Sequence, residues 1–321
     1  MIPIDASYLN GVLPRLVQIN SVNPSLDPAA PGESEIAAFV AAELRRFGCE
    51  VHVHEPEPGR PSVVGRLKGA RPGRSLMLNA HADTVAVDEM TDPFSGEVRD
   101  GRVYGRGAFD MKGGLAAMMA GMKALADAGG PAHGEVWLAA VADEEYASLG
   151  TEDLVRRYRP DGAIVTEPTD LDVCLAHKGF VWIEVKTAGR AAHGSRFDLG
   201  VDANMRMGRV LAELDRLEQA LRAGPAHPLV GPPSLHAATL AGGTGLSTYA
   251  ASCTLQIERR TVPGERTETV VGEIQSTLDR LMAADPMFNA ELRVLLAREP
   301  FEVSREASIV TALSGAVESV T

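Results

Sequence analysis

Cysteine is scarce. The 321-residue chain carries three, Cys49, Cys174 and Cys253, far apart and with no Cys-x-x-Cys pair. Neither a thiolate zinc site nor a disulfide framework is indicated, and the three read as reduced core residues of a cytoplasmic protein. No apolar run reaches the about 18 residues a membrane-spanning helix needs, so no membrane partner is expected. The opening stretch "MIPIDASYLNGVLPRL" lacks the basic segment and apolar run of a signal peptide. An excess of positive charge is missing as well: Lys and Arg number 31 against 43 Asp and Glu, a formal net charge of −12, which argues against nucleic acid as a partner. The charges are interspersed rather than blocked, so no charged disordered tail is expected. What is present is a hydrophobic fraction of 45%, enough for cores, over a length that suggests roughly two domains.

Residues 33–47 place Ile36, Phe39, Val40, Leu44 and Phe47 on one helical face, with Gly48 as a stop. Short strands follow in "CEVHVH", "PSVVGRL" and "SLMLNA", then a helix over 112–128 ending at Gly129-Gly130, an apolar strand at 134–142, a helix near 151–158 and the strand "GAIV" at 162–165. Strands alternating with helices predict an α/β domain with a mixed, largely parallel sheet and flanking helices. Pro14 falls inside what otherwise reads as the first helix, and a break or kink is expected there. From 179 the order changes: strand 180–188, helix 201–222, a Pro-rich loop at 225–233, strands 234–241 and 249–258, helix 265–284 and strand 289–297. That β-α-β-β-α-β order predicts a ferredoxin-like domain inserted into the first. The expected division is 1–177 for the first part of the catalytic domain and 178–297 for the insert, with 298–321 starting the return. Residues 306–321 show helical spacing in Ile309, Val310, Leu313, Val317 and Val320. A helix that needs a partner and is followed by nothing reads as an unfinished domain.

Three apolar strands run into candidate ligands. "SLMLNA" ends at His81 with Asp83 two residues on, "EVWLAAVAD" leads to Glu144 and Glu145, and "GAIVT" leads to Glu167. Ligands of open α/β sheets bind beyond the carboxyl ends of the strands. Asp110, just before the 112–128 helix, is placed to reach the same edge. Singly, these residues have plainer readings: a structural His, a solvated Glu pair, a helix-capping Asp. Together at one sheet edge they favour a metal site, because neighbouring buried acids repel one another unless a cation lies between them. One His with several carboxylates suits zinc, cobalt or manganese. Asp83 is spaced to orient His81, and of the two adjacent glutamates one can bind metal while the other takes a proton from water. The glycines of "YGRGAFDMKGG" (104–114) do not make a nucleotide loop: a dinucleotide fingerprint needs a small residue where Phe109 or Asp110 stands, and the P-loop spacing is absent.

"LMLNAHADTV", "DPFSGEVRDGRVYGRGAFDMKGGLAAM", "VADEE" and "VTEPT", with "GRAAHGS", "GVDA" and "GGTGLSTYAASCTLQIERRTVPGE" in the second half, resemble the co-catalytic zinc aminoacylase and carboxypeptidase family. That family includes acetylornithine deacetylase, succinyl-diaminopimelate desuccinylase and glutamate carboxypeptidase, and "ERRTVPGE" leans towards the first two. The resemblance implies two Zn²⁺ per active site, with Co²⁺ or Mn²⁺ as substitutes. His81 and Glu167 would hold one metal and Glu145 the second, with Asp110 bridging both. Asp83 would orient His81, Glu144 would be the general base, and the Asp110–Met111 peptide would be cis. His193 would stabilise the oxyanion and Arg260, with Arg259 as a neighbour, would hold a substrate carboxylate. The inserted domain would form a homodimer.

The activity implied is removal of an acyl group from an N-acyl amino acid by metal-activated water, the alternative within the family being a dipeptidase or carboxypeptidase acting on short peptides. The family has one more metal-ligating His near its C-terminus, whereas the last of this chain's eight histidines is His236. That departure implies a chain truncated relative to the family, and keeps open a non-catalytic metal-binding relative.

Overall fold

The computed structural model describes residues 2–320. The chain divides into two compact units, Met1–Asp172 and Val173–Thr321. In the first, chain order is α1 (Ala6–Gln18), α2 (Ser34–Arg46), β1 (Glu50–His54), β2 (Ser62–Lys68), β3 (Arg71–His81), β4 (Glu97–Arg99), β5 (Arg102–Tyr104), α3 (Lys112–Asp127), β6 (His133–Val141), α4 (Leu149–Arg157) and β7 (Gly162–Val165). The main sheet has the order β1-β2-β6-β3-β7. Only β2 runs against the others, so the sheet is mixed and largely parallel, with β6, β3 and β7 side by side in one direction.

The helices form where apolar residues recur at helical spacing. On α2, Ile36, Ala37, Val40, Ala41 and Leu44 are buried, and Gly48 ends the helix with a positive φ of 81°. On α3, Leu115, Met118, Met119 and Met122 enter the same core as α1, α2 and the sheet, each contributing roughly 1.5–3 kcal/mol by leaving water. Pro14 does not break α1. The helix runs through it, capped at its start by the Asp5 carboxylate, which accepts from Tyr8 N at 3.0 Å. Proline in a helix interior costs about 3 kcal/mol; burial of Val12, Leu16 and Val17 offsets it. The β4–β5 hairpin turns at Asp100-Gly101, both at positive φ, the signature of a two-residue primed turn. β3 begins at Arg71, earlier than the apolar run, because Arg71 already pairs with His133 ahead of a register shift.

The second unit contains β8 (Ala176–His177), β9 (Gly179–Ala188), α5 (Ala203–Ala223), β10 (Ser234–Gly242), β11 (Ser252–Thr261), α6 (Thr267–Ala284), β12 (Asn289–Arg298), β13 (Phe301–Glu302) and α7 (Ser308–Glu318). Its four-stranded sheet has the order β10-β11-β9-β12, antiparallel throughout, which is the ferredoxin-like arrangement. Alternate residues Val181, Ile183 and Val185 of β9 and Leu255 and Ile257 of β11 meet Met207, Val210 and Leu214 of α5 and Val270, Ile274 and Leu278 of α6. The spacing at 306–321 does form a helix, α7, on which Val310 is buried and Ile309, Leu313 and Val317 are half-buried.

Candidate metal centre

Parallel strands bring their carboxyl ends out on one edge. His81, the last residue of β3, pairs with Val141, the last of β6, while Asn79 pairs with Val165, the last of β7. The residues that follow each strand therefore emerge together: Asp83 after β3, Glu144 and Glu145 after β6, Glu167 after β7. Asp110 arrives from the loop before α3. That loop closes through Lys112 N donating to Gly107 O at 2.8 Å. Gly107 sits at φ 78°, where a Cβ would lie 2.8 Å from Thr84 Cγ2. A Cβ on Gly114 would strike the Thr166 carbonyl oxygen, so this glycine lets the start of α3 lie against the strand end that carries Glu167. The Asp110–Met111 peptide is cis.

His81 is the hub and is 2% exposed. Its Nε2 lies 3.1 Å from Asp110 Oδ1, 3.7 Å from Glu167 Oε1 and 3.8 Å from Glu144 Oε2. The potential ligand atoms of His81, Glu144 and Glu167 all lie within 4.8 Å of one another, as do those of His81, Asp110 and Glu145. The other ring nitrogen, Nδ1, is 2.9 Å from the main-chain oxygen of Asp83 and 3.5 Å from its carboxylate. A carbonyl only accepts, so Nδ1 carries a proton; Nε2 faces the acids and donates to Asp110 Oδ1, and it is the proton on Nε2 that a metal ion would displace. Asp83 thus meets His81 chiefly through its backbone. Its carboxylate is turned to the next loop, accepting from Glu144 N and Glu145 N, each at 3.1 Å.

Electrostatics mark the cluster as short of positive charge. Burial, and then the neighbouring acids, push Glu145 and Glu167 up to about 7, and burial raises Glu144. Burial would lower the His81 imidazole, yet hydrogen bonds to Asp110 and Asp83 push it up to about 11. The hydrogen bond from His81 holds Asp110 below the usual carboxylate range. A proton on His81, and protons on the raised glutamates, do what a divalent cation would do, offsetting charge that the site cannot otherwise balance. One imidazole whose Nε2 faces four carboxylates is a donor set suited to such an ion.

Four buried polar residues behind this edge, Asn23, Glu33, Arg60 and Asp143, have no counterpart among the sequence expectations. Asn23 precedes a proline, Glu33 stands at a helix start and Arg60 lies among prolines and glycines, so each looks like a surface turn residue. Asp143 looks like a third member of an acidic surface run.

His193 and Arg260 belong to the second unit. The exposed His193 pairs through Nδ1 with Ser195 Oγ at 2.9 Å. Arg260, on β11, bonds Glu258 at 2.9 Å and lies over the Phe180 ring. Arg259 points to the opposite, helix-covered face of the sheet, fully buried and paired with Glu265 at 2.5 Å, so strand alternation separates the two arginines.

The sequence profile of the peptidase family M20/M25/M40 matches residues 77–321. An N-formyl-4-amino-5-aminomethyl-2-methylpyrimidine deformylase from Halalkalibacterium halodurans is 31% identical over 291 residues, covering 84% of this chain and 68% of that protein. An acetylornithine deacetylase from Vibrio campbellii is 29% identical over 275 residues, covering 84% of this chain and 71% of that protein. The chain thus spans about two thirds of the length of the curated relatives it matches. Among solved structures, a tripeptidase from Staphylococcus aureus superposes with a TM-score of 0.77 at 20% identity, over 99% of this chain and 82% of that one, a likeness of fold.

Proposed function

From the premise that this chain belongs to the peptidase family M20/M25/M40, we propose that it is a metal-dependent amidohydrolase that removes an acyl group from an N-acyl amino acid. The observation that carries the reading is the convergence of His81, Asp110, Glu144, Glu145 and Glu167 at one sheet edge, with ligand atoms close enough to share ions. The names of the two relatives above, a deformylase and a deacetylase, both describe acyl removal and favour that chemistry over peptide cleavage. In this reading His81 and Glu167 would hold one metal and Glu145 the second, with Asp110 bridging. When bound, a divalent metal supplies Lewis-acid polarisation and brings the pKa of water towards neutrality. Zn²⁺ is the proposed ion, with Co²⁺ or Mn²⁺ as substitutes.

Glu144 is the proposed general base. It is half-exposed, its backbone is held by Asp83 and its carboxylate lies 3.8 Å from His81 Nε2, which places it to take a proton from the attacking water and deliver it to the leaving nitrogen. Asp83 keeps the His81 proton on Nδ1. The second unit is proposed to supply His193 for the developing oxyanion and Arg260 for the substrate carboxylate, and to form a homodimer. Residues 1–177 and 298–321 are proposed to be parts of one catalytic domain interrupted by 178–297.

The test is hydrolysis of a panel of N-acetylornithine, N-succinyl-diaminopimelate, an N-formyl amine and simple dipeptides with added Zn²⁺, Co²⁺ or Mn²⁺. Preferential release of the acyl group supports the reading. Cleavage of dipeptides alone would shift it to a peptidase, and metal binding without turnover of any of them to a non-catalytic relative.

A further inference from the structure

We propose that Arg60, Glu33, Asn23 and Asp143 form a buried positioning network that sets the two catalytic-edge glutamates through their backbone. All four are nine-tenths or more buried, as is Asp83. Arg60 is its centre: Nε donates to Glu33 Oε2 at 2.7 Å, and Nη2 donates to Glu33 Oε1 at 2.8 Å, Asp143 Oδ1 at 2.9 Å and Asn23 Oδ1 at 3.1 Å. Asn23 then bridges the acids, its Nδ2 donating to Asp83 Oδ2 at 2.7 Å and to Asp143 Oδ1 at 3.0 Å. Backbone bonds to the segment after β3 hold the chain at Asn23, Asn23 N donating to Thr84 O at 2.9 Å and Thr84 N donating to Ser21 O at 3.0 Å.

The network ends on the loop that matters. Asp143, at φ 68°, donates its N–H to Glu33 Oε1 at 3.2 Å, and its Oδ2 accepts from Leu149 N at 3.3 Å, so both ends of the 143–149 loop are fastened by it. Between them, Glu144 N and Glu145 N donate to the two oxygens of Asp83. Every carboxylate oxygen of Glu33, Asp143 and Asp83 has a donor. Asn23 and Arg60 touch no candidate ligand atom; they act by fixing the acids that fix Glu144 and Glu145. Partners of this kind behind a metal site are worth 10–100-fold in metal affinity or activity.

The role rests on the metal-centre reading for its chemical consequence, but its structural half can be tested without metal. In Asn23→Ala, and in Arg60→Lys, which keeps the charge but loses the planar fork, hydrogen exchange is followed by mass spectrometry in metal-free protein. The expected result is at least tenfold faster exchange over 142–150 with 112–127 unchanged, and a Co²⁺ Kd weakened 10–100-fold in the folded variants. Unchanged exchange over 142–150 in both variants overturns the proposal, and so does equal acceleration in both segments, which would mean a general loss of stability. A wild-type chain that takes up no Co²⁺ sinks the metal reading, while the exchange result still decides the positioning role.

Discussion

Two groups of acids lie next to each other in the first unit and are treated in opposite ways. Glu33, Asp143 and Asp83 are buried, and each is saturated with N–H donors from Arg60, Asn23 and the backbone. Asp110, Glu144, Glu145 and Glu167 stand at the strand ends with a single imidazole as their shared partner; burial and then neighbouring acids push Glu145 and Glu167 up to about 7, and burial raises Glu144. A fold that satisfies three carboxylates completely, beside four left to share one imidazole, separates a framework from a candidate metal centre. The first group is closed to further ligands; the second is open to them.

The sharpest way to divide the groups is to neutralise one open acid. Glu144→Gln is expected to keep metal uptake and lose about 10²–10⁴-fold in kcat, read from steady-state kinetics beside metal stoichiometry. Full activity in that variant would end the base assignment. In contrast, Asp110→Ala should weaken metal uptake more than Glu145→Ala or Glu167→Ala does, because Asp110 is proposed to serve both ions.

Removing the cation of the closed group altogether should act on folding as well as on the site. Arg60→Met leaves Glu33 and Asp143 buried without their cation, and removing one partner of a buried pair costs about 3–5 kcal/mol, measurable by urea denaturation. A loss below about 1 kcal/mol, the range of exposed ion pairs, would mean that the network is not carrying its buried charge. A smaller cost, about 1–3 kcal/mol of overpacking, is expected for Gly114→Ala, whose Cβ would meet the Thr166 carbonyl. Wild-type stability in that variant would show that the start of α3 has room to shift.

The smallest effect concerns sign more than size. Glu145 and Glu167 rise from 4.5 in the unfolded range to about 7, so their contribution to metal-free stability is present below pH 4.5 and is lost as pH rises to 7. His81, raised from 6.5 to about 11, contributes fully below 6.5 and loses it as pH rises through 11. A metal competes with those protons. The Tm gain on adding Co²⁺ should therefore grow from pH 5 to pH 8 in thermal scans, and a gain that shrinks over that interval would count against these residues as ligands.

Much of this was legible in the residue pattern for a physical reason. Helices such as α2 and α3 bury a periodic stripe, and the short apolar runs "EVWLAAVA" and "GAIV" between turn residues read as strands, the first buried along its second half and the second half-exposed at the sheet edge. Residues written directly after such strands share an edge if the strands are parallel, which is why His81, Glu144, Glu145 and Glu167 group together from the sequence pattern alone. Pro14 misled because local propensity was overruled by the packing of Val12, Leu16 and Val17. The Asp100-Gly101 hairpin carried a turn signal that went unread. Asn23, Glu33, Arg60 and Asp143 carried none. A polar residue in a turn looks the same in sequence whether it faces water or another polar residue.

By itself, then, the sequence determined the main helices and strands, the α/β order followed by β-α-β-β-α-β, and the candidate metal-holding residues, since these rest on periodicity and on residue chemistry beside each strand. Only the tertiary structure decided which oxygen of Asp83 meets which partner, which nitrogen of His81 is left for a ligand, and that Arg60 lies at the centre of a buried acid network. Those depend on three-dimensional contacts, most of them between residues tens of positions apart, where distance and direction, rather than residue type, separate a solvated charge from a satisfied one.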